Sequence, residues 1–280
     1  MKVIKFYVFG HLKLHPKTYA ILTNAASRGI PMPNWKYIFI IDGVIRDFVS
    51  YGFWDKLDIF HFFAGLDRST QEFKCINWID PSKYHGYFWG NLTNAFFDYG
   101  LDGKQGGGAN PNSAYFVSGK KYSEVGKFSL NDASVGTLVY KQAIGIVGDV
   151  SAYVGAGVRE GVCLTPAGGN SQRLNAFIYG INVNFLGLGL MVLNRTSNVN
   201  VNGINKNVQT FGSTTSSSVV ARPATALFMG NVKLTSNSYH TNAGVSCLFS
   251  GQNIPFEMSQ LVRTTINEKY FRPLGLDEIA

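Results

Sequence analysis

The chain has 280 residues, of which 45% are hydrophobic and 15% are charged. That length and hydrophobic content indicate one large or two modest folded domains and exclude wholesale disorder. The net charge of +8 arises because acidic residues are scarce, with 17 Asp and Glu against 25 Lys and Arg. The only adjacent basic pair is Lys120 and Lys121, whereas a nucleic-acid-binding protein concentrates its basic residues on one face, so we expect no nucleic-acid partner.

The first fifth of the chain is predicted to form a short strand and two helices. Residues 2–9 alternate as a strand does, but their apolar run is too short and too interrupted for a signal peptide. A first helix opens at Pro16 and closes at Gly29, and a second is capped by Asn34 and ends near Gly52. Two short helices cannot bury their own apolar stripes, so we expect them to dock on the following domain or on another subunit.

After Pro81 the pattern is typical of an all-β protein. Short β-branched and aromatic runs, separated by turn residues and without helices between them, predict a two-sheet sandwich. Asn202 and Gly203 both accept positive φ and predict a hairpin turn between strands at 199–201 and 208–211. The predicted strand cores are residues 95–97, 115–117, 137–140, 152–155, 176–181, 186–193, 225–229 and 245–249.

An amphipathic helix from about Pro255 to Phe271 is predicted to close the chain. Its apolar stripe consists of Met258, Leu261, Val262, Ile266 and Tyr270. No stretch approaches the roughly 20 apolar residues that a membrane-spanning helix needs, so we expect no membrane span.

Residues 161–256 contain no Asp or Glu and only five Lys or Arg. Carboxylates supply general acids and bases, glycosidase nucleophiles and oxygen-lined metal sites, so this third of the chain lacks the commonest catalytic groups. Its Asn, Ser, Thr and Gly residues can still form hydrogen bonds and pack. The segment therefore indicates a structural or recognition surface before an active site.

The remaining polar residues form no catalytic pattern. Asp55 and Asp58 lie beside Trp54 and Lys56, which suits a turn or a salt bridge better than an acid–base pair. His11 and His15 stand four apart without a third ligand close in sequence, and Cys75, Cys163 and Cys247 are expected to be buried free thiols. We predict no catalytic residue, no cofactor and no metal site, and we expect that the protein is not an enzyme.

An aromatic group raises one binding hypothesis. Tyr84, Tyr87, Phe88 and Trp89 surround Gly86 and Gly90 in a predicted loop. Aromatic faces beside amide side chains are used in carbohydrate recognition, because sugar C–H faces stack while hydroxyl groups need hydrogen bonds. The alternative, which we favour, is that these rings cover the seam between the helices and the sandwich.

Three segments resemble a known family. Residues 52–58 (GFWDKLD), 76–81 (INWIDP) and 122–134, with the later segments 193–199 and 215–220, resemble virion proteins of tailed phages that infect Bacteroidota. The resemblance covers about Tyr19 to Leu274. It implies a concanavalin-A-like jelly-roll sandwich in a fibre, spike or other exposed virion component, and it implies no catalytic residues.

We therefore predict a mainly β, jelly-roll sandwich at residues 66–280, closed by the C-terminal helix and preceded by a helical attachment or oligomerisation region at residues 1–65. The expected function is a structural virion protein, a head-fibre, tail-fibre or spike component made in the host cytoplasm and exposed on the particle. Its expected partners are other virion proteins, copies of itself with a trimer preferred, and host surface glycan. The alternatives are a carbohydrate-binding module for host capsule and, with less support, a sandwich-fold polysaccharide depolymerase.

Overall fold

The computed structural model describes residues 13–65, 71–89, 96–97, 99–102, 115–121, 124, 126–141, 150–152, 161–164, 173–176, 187–206, 208–213, 226–230, 232–234, 237–239 and 244–279. The described chain is mainly β, with one large antiparallel sheet, a smaller one and a few helices. The helices are α1 Pro16–Ser27, α2 Trp35–Ser50, α3 Phe53–Lys56, α4 Gln71–Lys74 and α5 Phe256–Thr265, and a π-helix (Ile266–Phe271) and a 3-10 turn (Arg272–Leu274) follow α5. The strands are β1 Leu57–Phe62, β2 Tyr87–Trp89, β3 Phe96–Phe97, β4 Gly100–Asp102, β5 Tyr115–Lys121, β6 Ala133–Lys141, β7 Val150–Ala152, β8 Gly161–Leu164, β9 Arg173–Ala176, β10 Gly189–Arg195, β11 Asn200–Asn205, β12 Val208–Ser213, β13 Ala226–Gly230, β14 Val232–Leu234, β15 Asn237–Tyr239 and β16 Gly244–Gly251.

The first two helices begin and end where their capping residues predict. The side chain of Asn34 accepts a hydrogen bond from the Tyr37 amide at 2.9 Å, which satisfies one of the free donors at the start of α2. Gly29 and Gly52 follow α1 and α2 with φ of +70° and +73°, the left-handed conformation that ends a helix. The predicted strand at residues 2–9 lies outside the described residues.

The C-terminal helix is less regular than predicted. It changes from α to π geometry at Ile266, and Val262, Ile266 and Tyr270 are fully buried. Leu261 is 42% exposed, so it was wrongly placed in the apolar stripe. Ser259 is buried instead, because its hydroxyl donates to the Phe256 carbonyl oxygen at 2.6 Å.

The large sheet has the strand order β12-β11-β10-β6-β16-β4-β3, and β1 also pairs with β16. The smaller sheet has the order β2-β5-β13-β7-β8-β9. Strands β14 and β15 form a separate two-stranded sheet. Each predicted strand core coincides at least in part with one of these strands; residues 95, 153–155, 177–181, 186 and 225 of the predicted cores lie outside the described residues.

The predicted hairpin turn at Asn202 and Gly203 is wrong. Gly203 lies inside β11, opposite Leu193 of β10 and Thr210 of β12. The turn between β11 and β12 falls after Asn205, which pairs with Val208, and Lys206 takes a φ of +57°.

The two faces of the large sheet have different coverings. One face packs under α1, α2, α5 and the π-helix, in a core that joins side chains such as Ile41, Phe48, Val192, Phe249 and Tyr270. On the other face His61 of β1 and Phe63, which directly follows β1, contact Phe116 of the smaller sheet, with ring centroids 5.0 and 4.9 Å from that of Phe116. This contact between two antiparallel sheets is consistent with a β-sandwich.

The N-terminal helices therefore dock on their own chain. Ile21, Ile41 and Phe48 are fully buried in the same core as residues of β10 and β16. Strand β1, which also precedes residue 66, pairs with β16 in the large sheet. The apolar stripes of α1 and α2 are covered without a second subunit, and residues on both sides of the predicted 65/66 boundary share one core.

Candidate functional site

An open groove of about 640 Å³ lies at the edge of the large sheet, and we call it the Phe211 groove. It forms where the helical layer ends and leaves part of the sheet face uncovered. Its lining residues come from the turn after β10, from β11 and β12, and from the segment before α5 and the first turn of that helix: Thr196, Asn200, Val201, Asn202, Gln209, Phe211, Asn253, Ile254, Pro255, Phe256 and Glu257.

Strand pairing places the groove's polar and aromatic side chains on one face. Asn202 lies directly opposite Phe211 on β12 and opposite Asn194 on β10. Side chains alternate along a strand, so Asn200 and Gln209 point to the same face as this cross-strand row. Phe211 is 76% exposed, and its ring stands beside the amide groups as an open apolar surface.

A buried asparagine holds the floor of the groove. Asn194 Nδ2 donates to Asn202 Oδ1 at 3.1 Å and to the Ile254 carbonyl oxygen at 2.9 Å, and its Oδ1 accepts from the Ile254 amide at 3.0 Å. Asp132 Oδ1 accepts from the Asn253 amide at 2.8 Å. These bonds fix the segment before α5 against the sheet, so the groove is pre-formed. Because Asn202 Oδ1 is engaged by Asn194, the amide nitrogen of Asn202 is left as a donor.

The chemistry of the groove suits a ligand rich in hydroxyl groups. It offers one exposed aromatic face, several amides that both donate and accept, and a single charged side chain, Glu257. Stacking and neutral hydrogen bonding are what carbohydrate recognition requires. No sequence motif signals this site, because its residues come from separate segments between Thr196 and Glu257.

The aromatic group at residues 84–89 is not the predicted loop. Tyr87–Trp89 forms β2, which pairs with β5, and Phe88 packs on Phe63 and Phe116. Tyr87 is 50% exposed and lines a second groove of about 400 Å³, the Tyr87 groove, and the side chain of Trp89 lies outside the described residues. The Tyr87 groove is lined by Arg28, Ile30, Gln71, Glu72, Cys75, Gly86, Tyr87 and Phe88.

Asp58 belongs to a buried ion pair rather than to an acid–base pair. Its Oδ2 lies 3.8 Å from Lys120 Nζ, with both side chains buried. The carboxylate also accepts hydrogen bonds from the amides of Lys127 and Phe128, each at 2.8 Å. The predicted salt bridge is thus present, but its partner is Lys120 and not the adjacent Lys56. Lys120 Nζ also lies 4.7 Å from the centre of the Tyr84 ring.

The three segments that carry the family resemblance meet at Asp58. Asn77 donates from Nδ2 to the Asp58 carbonyl oxygen at 3.0 Å and accepts from the Phe60 amide at 3.0 Å. The third segment supplies the amides of Lys127 and Phe128 to the Asp58 carboxylate. These hydrogen bonds hold β1 in place, so the described residues of the three segments support the fold.

The histidine and cysteine predictions have mixed outcomes. His15 caps α1 by accepting from the Lys17 amide at 3.2 Å, and His11 lies outside the described residues. Within the described ranges, no group of three or more His, Cys, Asp or Glu side chains is placed to hold a metal ion. Cys75 and Cys247 are free, and burial raises the pKa of each thiol to about 12, so both are protonated at neutral pH. The side chain of Cys163 is not among those described.

No protein-family model matches the chain, and no curated protein matches it. Among solved structures, it is similar to domain 4 of AbnA, a GH43 extracellular arabinanase from Geobacillus stearothermophilus in complex with arabinotriose, at 12% identity and a TM-score of 0.46 over 74% of this chain and 98% of that one. It is also similar to a mutant Trypanosoma rangeli sialidase displaying trans-sialidase activity, at 10% identity and a TM-score of 0.45 over 81% of this chain and 39% of that one. A mutant GH54 α-L-arabinofuranosidase gives 12% identity and a TM-score of 0.29 over 57% of this chain and 40% of that one.

These similarities contradict the expectation that the protein is not an enzyme, and we do not retain it. The acid-free segment that motivated the expectation ends at Phe256 and excludes carboxylates only within itself. Glu257, the next residue, lines the Phe211 groove. At TM-scores below 0.5 the similarities carry no argument for any particular activity of this chain. In the part of the chain that is described, no helix is long and apolar enough to cross a membrane.

Proposed function

We propose that the protein is a structural component of a tailed-phage virion, exposed on the particle, with a concanavalin-A-like jelly-roll topology. The sequence resemblance supports this proposal, and the meeting of its three segments at Asp58 is the observation that carries it. Asp58, Asn77 and the amides of Lys127 and Phe128 come from the three segments and build one hydrogen-bonded support for β1.

Mass spectrometry of purified virions tests this proposal. The expected result is that tryptic peptides of the protein co-purify with the particle at a stoichiometry of several copies or more. Immunogold labelling then locates it on the head, collar or tail. Absence from purified particles, with the protein present in the infected-cell lysate, contradicts the proposal.

Self-association into a homo-oligomer, with a trimer preferred, is part of the same proposal. An uncovered helical stripe no longer supports it, because α1 and α2 are buried against their own chain. The remaining support is the resemblance to fibre and spike proteins. Light scattering coupled to size-exclusion chromatography measures the state directly, and a monomer at micromolar concentration contradicts it.

A second candidate function is the binding of host-surface glycan, and the Phe211 groove favours it. The groove combines an exposed ring with amide side chains on a floor fixed by Asn194. Little ordering is then required when a sugar binds, which favours affinity. This function is compatible with the virion role, since an exposed component is placed to contact capsule polysaccharide.

A glycan array with matched variants tests the glycan-binding proposal. Phe211→Ala removes the ring and is expected to lower binding at least tenfold, whereas Phe211→Tyr keeps a ring and retains binding. Val208→Ala is the control, because Val208 is also exposed on β12 but does not line the groove. Tyr87→Ala reports on the Tyr87 groove.

If Tyr87→Ala abolishes binding and Phe211→Ala does not, the site is the Tyr87 groove and the assignment to Phe211 is wrong. Product analysis of the bound glycans by mass spectrometry shows in the same experiment whether any of them is cleaved.

A further inference from the structure

The Phe211 groove has an unusual charge pattern for a protein of net charge +8. None of its lining residues is Lys or Arg, and Glu257 is its only charged member. A second carboxylate, that of Asp132, supports the floor of the groove by accepting a hydrogen bond from the Asn253 amide. The groove is therefore locally negative on a positively charged molecule.

The carboxylate of Glu257 is accessible to a ligand in the groove. It lies in the first turn of α5, where the helix dipole favours an anion. Among the described residues it has no ion-pair partner, and its side chain is exposed. A ligand in the groove thus meets a carboxylate that no described basic side chain pairs with.

Arg195, which precedes the groove residue Thr196, does not offset this charge. Arg195 ends β10, but it is buried and its side chain points to the opposite face from Asn194. Its guanidinium donates to the carbonyl oxygens of Ser197 and Asn198, at 3.3 and 2.8 Å. These hydrogen bonds hold the turn before β11.

We propose that the Phe211 groove selects glycans without acidic groups, and that Glu257 determines this specificity. The inference rests on the glycan-binding proposal and adds the class of ligand. A carboxylate or sulfate on the sugar would lie near Glu257, and the described lining of the groove offers no cation to pair with it. Neutral hydroxyl and acetamido groups have the amides of Asn200, Asn202 and Gln209 as partners.

The test uses pairs of neutral oligosaccharides and their C6-oxidised uronic acid counterparts, measured by titration calorimetry at low and high salt, on the order of 20 and 500 mM NaCl. At low salt the wild-type protein is expected to bind the neutral member about tenfold more tightly, the ratio that about 1.4 kcal/mol produces. Glu257→Gln is expected to reduce that ratio to about twofold or less while keeping affinity for the neutral member, and Glu257→Lys is expected to reverse it. High salt narrows the wild-type ratio, because exposed charges are screened.

The outcomes separate this inference from the proposal beneath it. If the protein binds neither member of any pair, both are overturned. If Phe211→Ala abolishes binding but the wild type prefers the acidic member, or Glu257→Gln leaves the ratio unchanged, the glycan site stands and the role of Glu257 is overturned. Thermal denaturation of each Glu257 variant confirms folding, which an exposed side chain is not expected to disturb.

Discussion

Asn194 and Asn202 lie opposite each other on β10 and β11, and Asn194 Nδ2 donates to Asn202 Oδ1 at 3.1 Å. This bond links the buried part of the sheet face to its open edge. Asn194 also makes two bonds to Ile254, so one side chain joins two strands and the segment before α5. The shape of the Phe211 groove therefore depends on a residue that does not line it.

Asn194→Ala is expected to destabilise the protein by at least about 3 kcal/mol. The substitution leaves the Ile254 amide and carbonyl and Asn202 Oδ1 without partners in a buried place, and each unpaired group costs about 1–3 kcal/mol. Urea denaturation followed by tryptophan fluorescence measures the free energy of unfolding.

Asn198→Ala is the matched control, because the Asn198 side chain is exposed. Its free energy of unfolding is expected to stay within about 0.5 kcal/mol of the wild-type value. A loss below about 1 kcal/mol for Asn194→Ala would show that the segment before α5 is held by other contacts.

Asp58→Asn is expected to cost about 3–5 kcal/mol, because it removes the carboxylate charge that lies 3.8 Å from the buried ammonium group of Lys120. The double variant Asp58→Asn with Lys120→Met removes both charges and is expected to recover a large part of that loss. A double-mutant cycle on unfolding free energies isolates the coupling between the two residues. Additive effects of the single substitutions would contradict an energetic link across the 3.8 Å contact.

The helices could be predicted from the sequence because their limits are local. Pro16, Gly29, Asn34 and Gly52 act through φ angles and caps within a few residues, and each does in the structure what its residue type predicts. The hairpin turn could not be placed in this way. Asn202 and Gly203 are typical turn residues, but pairing with β10 and the bond from Asn194 keep Asn202 inside a strand.

The candidate site could not be predicted from the sequence for the same reason. Phe211, Asn202 and Glu257 come together only through strand register and the docking of α5. The sequence did show that the strands of this region carry amides instead of acids. It could not show that the first carboxylate after them would line the groove. The buried pair of Asp58 and Lys120 likewise joins residues far apart in the chain.

A pair of glycine substitutions is expected to have opposite effects. Gly136 lies opposite Phe249, and a Cβ at Gly136 would lie 2.1 Å from Phe249 Cζ, so Gly136→Ala is expected to destabilise by about 1–3 kcal/mol through overpacking. Gly43 lies inside α2, and a Cβ there would have no atom within 4 Å, so Gly43→Ala is expected to stabilise by about 0.5–1 kcal/mol. Thermal and urea unfolding of both variants check the signs. Destabilisation by Gly43→Ala would mean that this face of α2 is more crowded than the structure shows.

His61 is expected to make stability fall in acid. Burial between the two sheets lowers the pKa of His61 from 6.5 to about 3, because the charged imidazolium loses its hydration there. Between pH 6.5 and about 3 the unfolded chain therefore binds one proton that the folded chain does not, so lowering the pH favours unfolding. His61→Leu removes the titrating imidazole.

When the pH is lowered from about 7 to about 5, the unfolding free energy of the variant is expected to rise by about 2 kcal/mol relative to that of the wild type. The slope is about 1.4 kcal/mol for each pH unit below the ordinary histidine pKa. Phe63→Leu is the control, because Phe63 lies in the same core and has no titratable group. The unfolding free energy of this variant is expected to differ from that of the wild type by the same amount at both pH values. A His61→Leu difference that is equally independent of pH would show that His61 is accessible to protons in the folded protein.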